Sequence, residues 1–281
     1  MRVLVTGAGG FLGRHLVDGF RAAGHDVVAA GHDAEWPVDF RLPVLVAELF
    51  REARPERIVH LAGSATPVEA GAPSDLQTEN VVHPLLNVLD LAGSRPVLHV
   101  SSAEVYGSAP PDEAGPVRPM TLHAAARASA EALGLRRAAK GGTPLSIVRP
   151  CVVLGHGLSP RSEIGGWLAR TGAGATEVPT FDLSRVRDLL DVHDLVSAFC
   201  VLIERGAAGT VYNLAAGRSL ALETVFARLC PHARAVPAGA AREPARLEPT
   251  PDRLSALGWA PTRPIEQTLA SVSLRPRERR R

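Results

Sequence analysis

The stretch from Met1 to Arg14 restricts what this chain can fold into more than any other. Arg2 to Thr6 is a short, branched, apolar run of the kind that forms a strand buried on both faces. Gly7, Gly10 and Gly13 follow at even spacing, and Phe11 and Leu12 open an apolar helical pattern. A strand, a glycine turn and a helix in this order predict a dinucleotide-binding unit. Gly7 permits the tight turn, Gly10 lets backbone N–H groups approach a pyrophosphate, and Gly13 lets the helix pack closely on the strand. The helix N-terminus adds partial positive charge where the phosphates would lie.

A chain of 281 residues can bury a large α/β core with a small appended lobe. No apolar run is long enough to span a bilayer, and the strand at residue 2 is not a signal peptide. A net charge of +2 gives no reason to expect a nucleic-acid partner. Cys151, Cys200 and Cys230 are scattered and odd in number, with neither metal nor disulfide spacing, so a cytoplasmic, metal-free protein is expected. Arginine has nearly displaced lysine; Lys140 stands alone.

Along the chain, helix Phe11 to Ala23 leads into a second strand, Asp26 to Ala30. The end of that strand should meet the adenosine ribose, where an acid selects NAD by repelling a 2′-phosphate. Here the residues are Gly31 and His32, with Arg14 on the glycine loop, a combination that favours NADP over NAD unless Asp33 reaches the ribose. Asp39 either touches the adenine amine or is a surface acid. Further strands are expected at Arg57–Leu61, Pro96–Ser101 and Leu145–Arg149, with Leu61, Ala62 and Gly63 placed for close approach of a cofactor. Ser74 to Ala92 reads as a long amphipathic helix carrying Asn80. Alternating strands and helices predict a doubly wound parallel sheet covered on both faces. Residues 1–150 form this unit, rejoined by about 188–215; 151–187 and 216–272 form a glycine- and proline-rich substrate lobe; 273–281 is a basic tail. Asp188 to Glu204 reads as helix and Thr210 to Leu214 as a strand returning to the sheet.

Thr6-Gly-Ala-Gly-Gly-Phe-Leu-Gly13, His60-Leu-Ala-Gly63, Asn80, Ser101-Ser-Ala-Glu-Val-Tyr-Gly107, Val148-Arg-Pro150, Arg187-Asp-Leu-Leu-Asp-Val-His-Asp194, Val211-Tyr-Asn213 and Leu257-Gly-Trp259 occur in that order. Together they resemble the extended short-chain dehydrogenase/reductase family, the NAD(P)-dependent epimerases, dehydratases and reductases of nucleotide sugars. The stretch Arg187 to Asp194 is most similar to reductases of GDP-4-keto-6-deoxymannose. The resemblance implies a Rossmann sheet with a small C-terminal substrate lobe, one bound dinucleotide, a pyrophosphate-linked sugar substrate and a homodimer. It places Pro150 beside the cofactor, and Val152, His156 and Arg187 at the substrate mouth.

The resemblance also implies a proton shuttle in which a Ser or Thr polarises the substrate oxygen, a Tyr exchanges the proton, and a Lys four residues on holds the ribose. Ser102 matches the first position. Where the family keeps Tyr-x-x-x-Lys, counting back from Glu131 gives His123 and Arg127, and neither Tyr106 nor Tyr212 can take the place of the missing Tyr. Imidazole titrates near 6.5 and needs no help to exchange protons at neutral pH, whereas a guanidinium can fork onto ribose hydroxyls without relaying a proton. His123 and Arg127 are therefore either a working replacement or the remains of one. Glu104 sits where the family's dehydratases hold a base, and is either an acid/base group or a loop residue orienting Ser102. Arg187 resembles a diphosphate contact; the plainer reading is an ion pair with Asp188, Asp191 or Asp194. Val152 and His156 depart from the usual Asn and Pro at the mouth, and His156 is otherwise a solvated loop residue. The activity expected is reduction, epimerisation or dehydration of a nucleotide sugar or related metabolite; the alternative is a non-redox enzyme or a silent binding protein.

Overall fold

The computed structural model describes residues 1–63, 74–240 and 243–274. The first unit runs β1 (Arg2–Thr6), α1 (Phe11–Ala22), β2 (Asp26–Gly31), β3 (Trp36–Pro37), α2 (Pro43–Ala53), β4 (Arg57–His60), α3 (Ser74–Ala92), β5 (Val97–Val100), α4 (Leu122–Gly141) and β6 (Leu145–Pro150). A lobe follows with β7 (Val152–Leu154), β8 (His156–Leu158), α5 (Glu163–Gly172), β9 (Glu177–Thr180) and β10 (Val186–Asp191). The chain then returns through α6 (Val192–Arg205) and β11 (Val211–Leu214). It ends in β12 (Ser219–Ala221), α7 (Leu222–Leu229), β13 (Arg234–Pro237), β14 (Arg246–Leu247), α8 (Asp252–Ala256), α9 (Ile265–Ser271) and β15 (Ser273–Leu274).

Seven parallel strands form the main sheet in the order β11-β6-β5-β4-β1-β2-β3. Side chains of β1 alternate between its faces, as a pleated strand requires. Val3 and Val5 pack with Leu16, Phe20 and Phe199 from α1 and α6. Leu4 packs oppositely with Leu49, Leu85 and Val88 from α2 and α3. Both faces are therefore dry, which is why the strands read as nearly unbroken apolar runs. The predicted return to the sheet is made by β11, which pairs with β6. At that outer strand the Val211 carbonyl accepts from Arg253 at 3.0 Å, and the Asn213 N–H donates to Glu113 at 2.7 Å.

One expected element differs. Residues 188–191 belong to β10 rather than to a helix, and the helix begins only at Val192. The cause is local. Asp188 accepts backbone N–H groups from Ala216 and Arg218 at 2.7 and 2.8 Å, Leu189 and Leu190 pair with β7, and Asp191 caps α6 by accepting the His193 N–H at 2.8 Å. β10 consequently lies in a small lobe sheet with β7, β12 and β14. The lobe has its own core of Leu154, Ile164, Trp167, Val178, Leu189 and Phe226. Trp167 packs edge-on to Phe226 in this core, whereas Trp259 is buried in the main core and donates to Ser197 at 2.9 Å.

Candidate active site

The glycine turn closes against the end of β4. A Cβ on Gly7, whose φ is +67°, would stand 2.9 Å from the Ala62 nitrogen. One on Gly13 would stand 2.3 Å from the Gly7 carbonyl oxygen. No side chain fits at either position. The Thr6 hydroxyl oxygen accepts the N–H groups of Leu61 and Ala62 at 3.1 and 3.0 Å, fixing the end of β4 beside the turn. Gly10 sits at the N-cap of α1 and has no side chain to cap it, and no acidic residue occupies the helix's first turn. Backbone held this close, with a helix N-terminus facing outward, suits the pyrophosphate of a dinucleotide.

At the corner where the sequence reading places the adenosine, His32 is exposed just beyond the end of β2, near Asp39. The Arg41 guanidinium holds Asp39 by a charged pair at 2.6 Å and lowers its carboxyl to about 2. Arg41 also donates to the Asn80 side-chain oxygen at 3.4 Å, tying Asp39, Arg41 and Asn80 together. Arg41 was not singled out from the sequence, although its place two residues after Asp39 is a readable signal. Arg14 turns the other way: its guanidinium donates to the Gly157 carbonyl at 3.4 Å, in the lobe. Of the three features read as favouring NADP, Gly31 and His32 stand at the strand end and Arg14 does not. Phe11 likewise packs into the lobe core.

α4 brings His123, Arg127 and Glu131 onto its buried side, as the spacing of four requires. Thr121 starts the helix by accepting the Ala124 N–H at 3.1 Å. Arg127 donates to the Val100 carbonyl at the end of β5, at 2.8 Å. Glu131 instead grips Arg149 through two hydrogen bonds of 2.5 and 3.0 Å, and Arg149 lies over the Tyr106 ring, 4.7 Å from its centre. Tyr106 is fully buried and donates to Asn213 at 2.7 Å, which makes it a packing residue.

Burial, helped by the nearby Arg127 charge, pushes His123 down to about 4. It is neutral at pH 7, and this departs from the sequence expectation of an imidazole titrating near neutrality: desolvation outweighs its ordinary preference. Glu104 shows the opposite change. Burial first, and the charges of Glu243 and Glu163, raise its carboxyl to about 7 against the pull of Arg127 and Arg187. Ser102 caps the 3-10 turn Ala103–Tyr106 by accepting the Glu104 N–H at 3.2 Å, leaving its own hydroxyl proton to donate.

His60 and His99, neighbours across β4 and β5, lie beneath this site with ring centres 5.5 Å apart. Burial and Arg127 lower His60 to about 3; burial, His60 and Arg127 hold His99 well below its ordinary range. Because the Thr6 oxygen already accepts two N–H groups, its hydroxyl donates to His60 Nδ1 at 2.9 Å, which puts the His60 proton on Nε2.

The lobe contributes β10. Arg187 donates to Glu243 at 2.9 Å and to the Val186 carbonyl at 2.9 Å, rather than to Asp188, Asp191 or Asp194. Pro150 ends β6. Val152 packs against the lobe core, and exposed His156 bonds Ser273 through Nδ1 at 2.7 Å while its carbonyl faces His15. His156 therefore joins the outer surface beside β15 and not the group around Glu104. Among the described residues no cluster of His, Cys, Asp and Glu could hold a metal, and no helix is long and apolar enough to cross a membrane.

A seven-stranded parallel sheet with a glycine cradle at β1 has the layout of a nicotinamide-dinucleotide scaffold, and a carboxyl raised to about 7 stands on the turn after β5. Residues 3–215 match the profile of the NAD dependent epimerase/dehydratase family, and the chain belongs to that family. It is similar to the GDP-6-deoxy-D-mannose reductase of Pseudomonas aeruginosa, at 28% identity over 96% of this chain and 95% of that protein. It is also similar to the UDP-glucose 4-epimerase of Mycolicibacterium smegmatis, at 32% identity over 77% of this chain and 78% of that protein. The structure of RMD from Pseudomonas aeruginosa complexed with NADPH superimposes with a TM-score of 0.83, covering 96% of this chain and 95% of that one at 28% identity. NADP or NAD is the cofactor of the family.

Proposed function

We propose that this protein is an NAD(P)-dependent enzyme that reduces, epimerises or dehydrates a carbonyl- or hydroxyl-bearing substrate, a nucleotide sugar or a related small metabolite, and that Glu104 moves the proton. One observation carries the reading: a largely buried carboxyl raised to about 7 stands on the turn after β5, within the field of Arg127. A group titrating there gives and takes a proton with comparable ease at neutral pH.

The residues fit the cofactor, since the space that side chains at Gly7 and Gly13 would need is taken up by backbone. The backbone of Gly7, Gly10, Phe11, Leu12 and Gly13 would hold the pyrophosphate, the Phe11 side chain lying in the lobe core; His32, Asp39, Arg41 and Asn80 would meet the adenosine, and Leu61, Ala62, Gly63 and Pro150 would line the path toward the nicotinamide. When bound, the nicotinamide supplies or accepts hydride. Ser102 donates its hydroxyl hydrogen bond to the substrate oxygen. Glu104 delivers the proton when that oxygen becomes a hydroxyl and removes it in reverse. Arg127, anchored by the Val100 carbonyl, would hold the ribose, and its charge tempers the rise of the Glu104 carboxyl. Neutral His123 is a positioning group rather than the acid, because at about 4 it is uncharged at pH 7 and its one N–H is a hydrogen-bond donor, not a ready proton source.

The test is nucleotide release from protein purified without added ligand, read by mass spectrometry, together with turnover of Glu104→Gln and His123→Ala. The reading expects bound NADP(H) or NAD(H), a large loss of turnover in Glu104→Gln at unchanged cofactor affinity, and a smaller loss in His123→Ala. Failure to bind either dinucleotide, or full turnover in Glu104→Gln, would refute it.

A further inference from the structure

Opposite Glu104 the lobe presents two arginines. Arg187 lies on β10 and Arg185 immediately precedes that strand, and both guanidinium groups reach the same carboxylate oxygen of Glu243. Only 2% and 4% of their surfaces are exposed. Two buried guanidinium groups on one wall of a cleft ordinarily mark a site for phosphate. Here the chain fills that site with its own acids. Glu243 Oε2 accepts from Arg185 at 2.7 Å and from Arg187 at 2.9 Å, bridging the two. Arg185 gives its remaining arm to Glu163 and its Nε to the Asp182 carbonyl at 2.8 Å. Arg187 gives its other arm to the Val186 carbonyl. Two positive and two negative charges cancel within the cluster.

The two carboxylates are the accessible part: Glu163 and Glu243 are 28% and 30% exposed. Each has an oxygen that accepts no hydrogen bond from the described residues. The surface offered to a substrate is therefore one of acceptors, with the cations behind it. An incoming diphosphate would have to break a buried ion pair and then lie beside the displaced Glu243 charge, which is unfavourable on both counts.

We infer that the substrate carries no diphosphate, and that the wall facing Glu104 receives the hydroxyl or amino groups of an uncharged carbonyl compound. This rests on the proposed function, in which Glu104 meets the substrate, and it selects the related small metabolite over the nucleotide sugar.

GDP, UDP and dTDP, titrated calorimetrically into NADPH-loaded protein, test it. Wild type is expected to bind none of them at millimolar concentration. Glu243→Gln, which frees Arg187, is expected to bind at least one of them about tenfold below that limit, and Arg187→Ala added to it should abolish the gain. Micromolar binding of any diphosphate by wild type overturns the inference, and so does a folded Glu243→Gln protein that binds no better than wild type. Should Glu243→Gln fail to fold by circular dichroism, the wild-type titrations still decide the matter. The same titrations without cofactor keep the two readings apart: absence of NADPH binding strikes the proposed function, while the diphosphate results still report on Glu243.

Discussion

Replacing Glu104 by Gln should make the protein more stable, and increasingly so as pH rises. An ordinary glutamate titrates at 4.5, whereas Glu104 does so at about 7 because burial and two neighbouring glutamates disfavour its charge. Between those values the folded chain keeps a proton that the unfolded chain has released. Stability linked to this group is therefore full below the unfolded value, falls as pH rises through the window, and is lost above the folded value. At 1.36 kcal/mol per pH unit, the whole effect is roughly 3 kcal/mol above neutrality. Gln cannot ionise and escapes it. The difference between variant and wild type should grow by about 3 kcal/mol from pH 4 to pH 8, or about 6–12 °C in Tm for a chain of this size. Urea or thermal melts of both proteins across that range measure it, and the subtraction cancels every other titrating group. A difference that stays flat with pH would refute both the raised carboxyl and its burial. The same titration should appear in catalysis: reduction falls as pH rises through about 7, because the proton donor is lost, and oxidation rises.

Two further outcomes follow from the geometry. Glu131→Ala leaves the buried Arg149 charge without its carboxylate and should cost about 3–5 kcal/mol in urea denaturation, whereas a loss below about 1 kcal/mol would mean that solvent already reaches the pair. His32→Asp places a carboxylate at the exposed end of β2 and should weaken NADPH about tenfold more than NADH in fluorescence titrations, and equal effects on the two would remove this corner from 2′-phosphate recognition.

The cradle was legible because glycine positions and strand polarity are local properties. Gly7, Gly10 and Gly13 follow a branched run and precede a helix, and no distant contact is needed to interpret them. The same holds for His123, Arg127 and Glu131, whose spacing alone put them on one helix face. The charge states were not legible. Neutral His123 and near-neutral Glu104 depend on desolvation and on Glu243, Glu163 and Arg187, contributed from far along the chain. Residues 188–191 misled for a related reason: two leucines between aspartates suit either period, and only pairing with β7 makes them strand. Arg187 was expected to face a diphosphate or an Asp on its own segment, and nothing near it in the chain announces Glu243. The Gly157 carbonyl that takes Arg14 is equally remote.

The contacts made by Arg253 and Glu113 at β11 occupy peptide groups on the outer edge of the main sheet. An outermost strand offers unspent peptide groups to any extended segment that drifts alongside, and uncontrolled polymerisation begins there. Here one such carbonyl and one such amide are already spoken for by side chains from other parts of the chain. At the far margin the terminal strand is only Trp36–Pro37, and its proline has no hydrogen to share. Both margins of the main sheet are thus blunted against edge-to-edge growth.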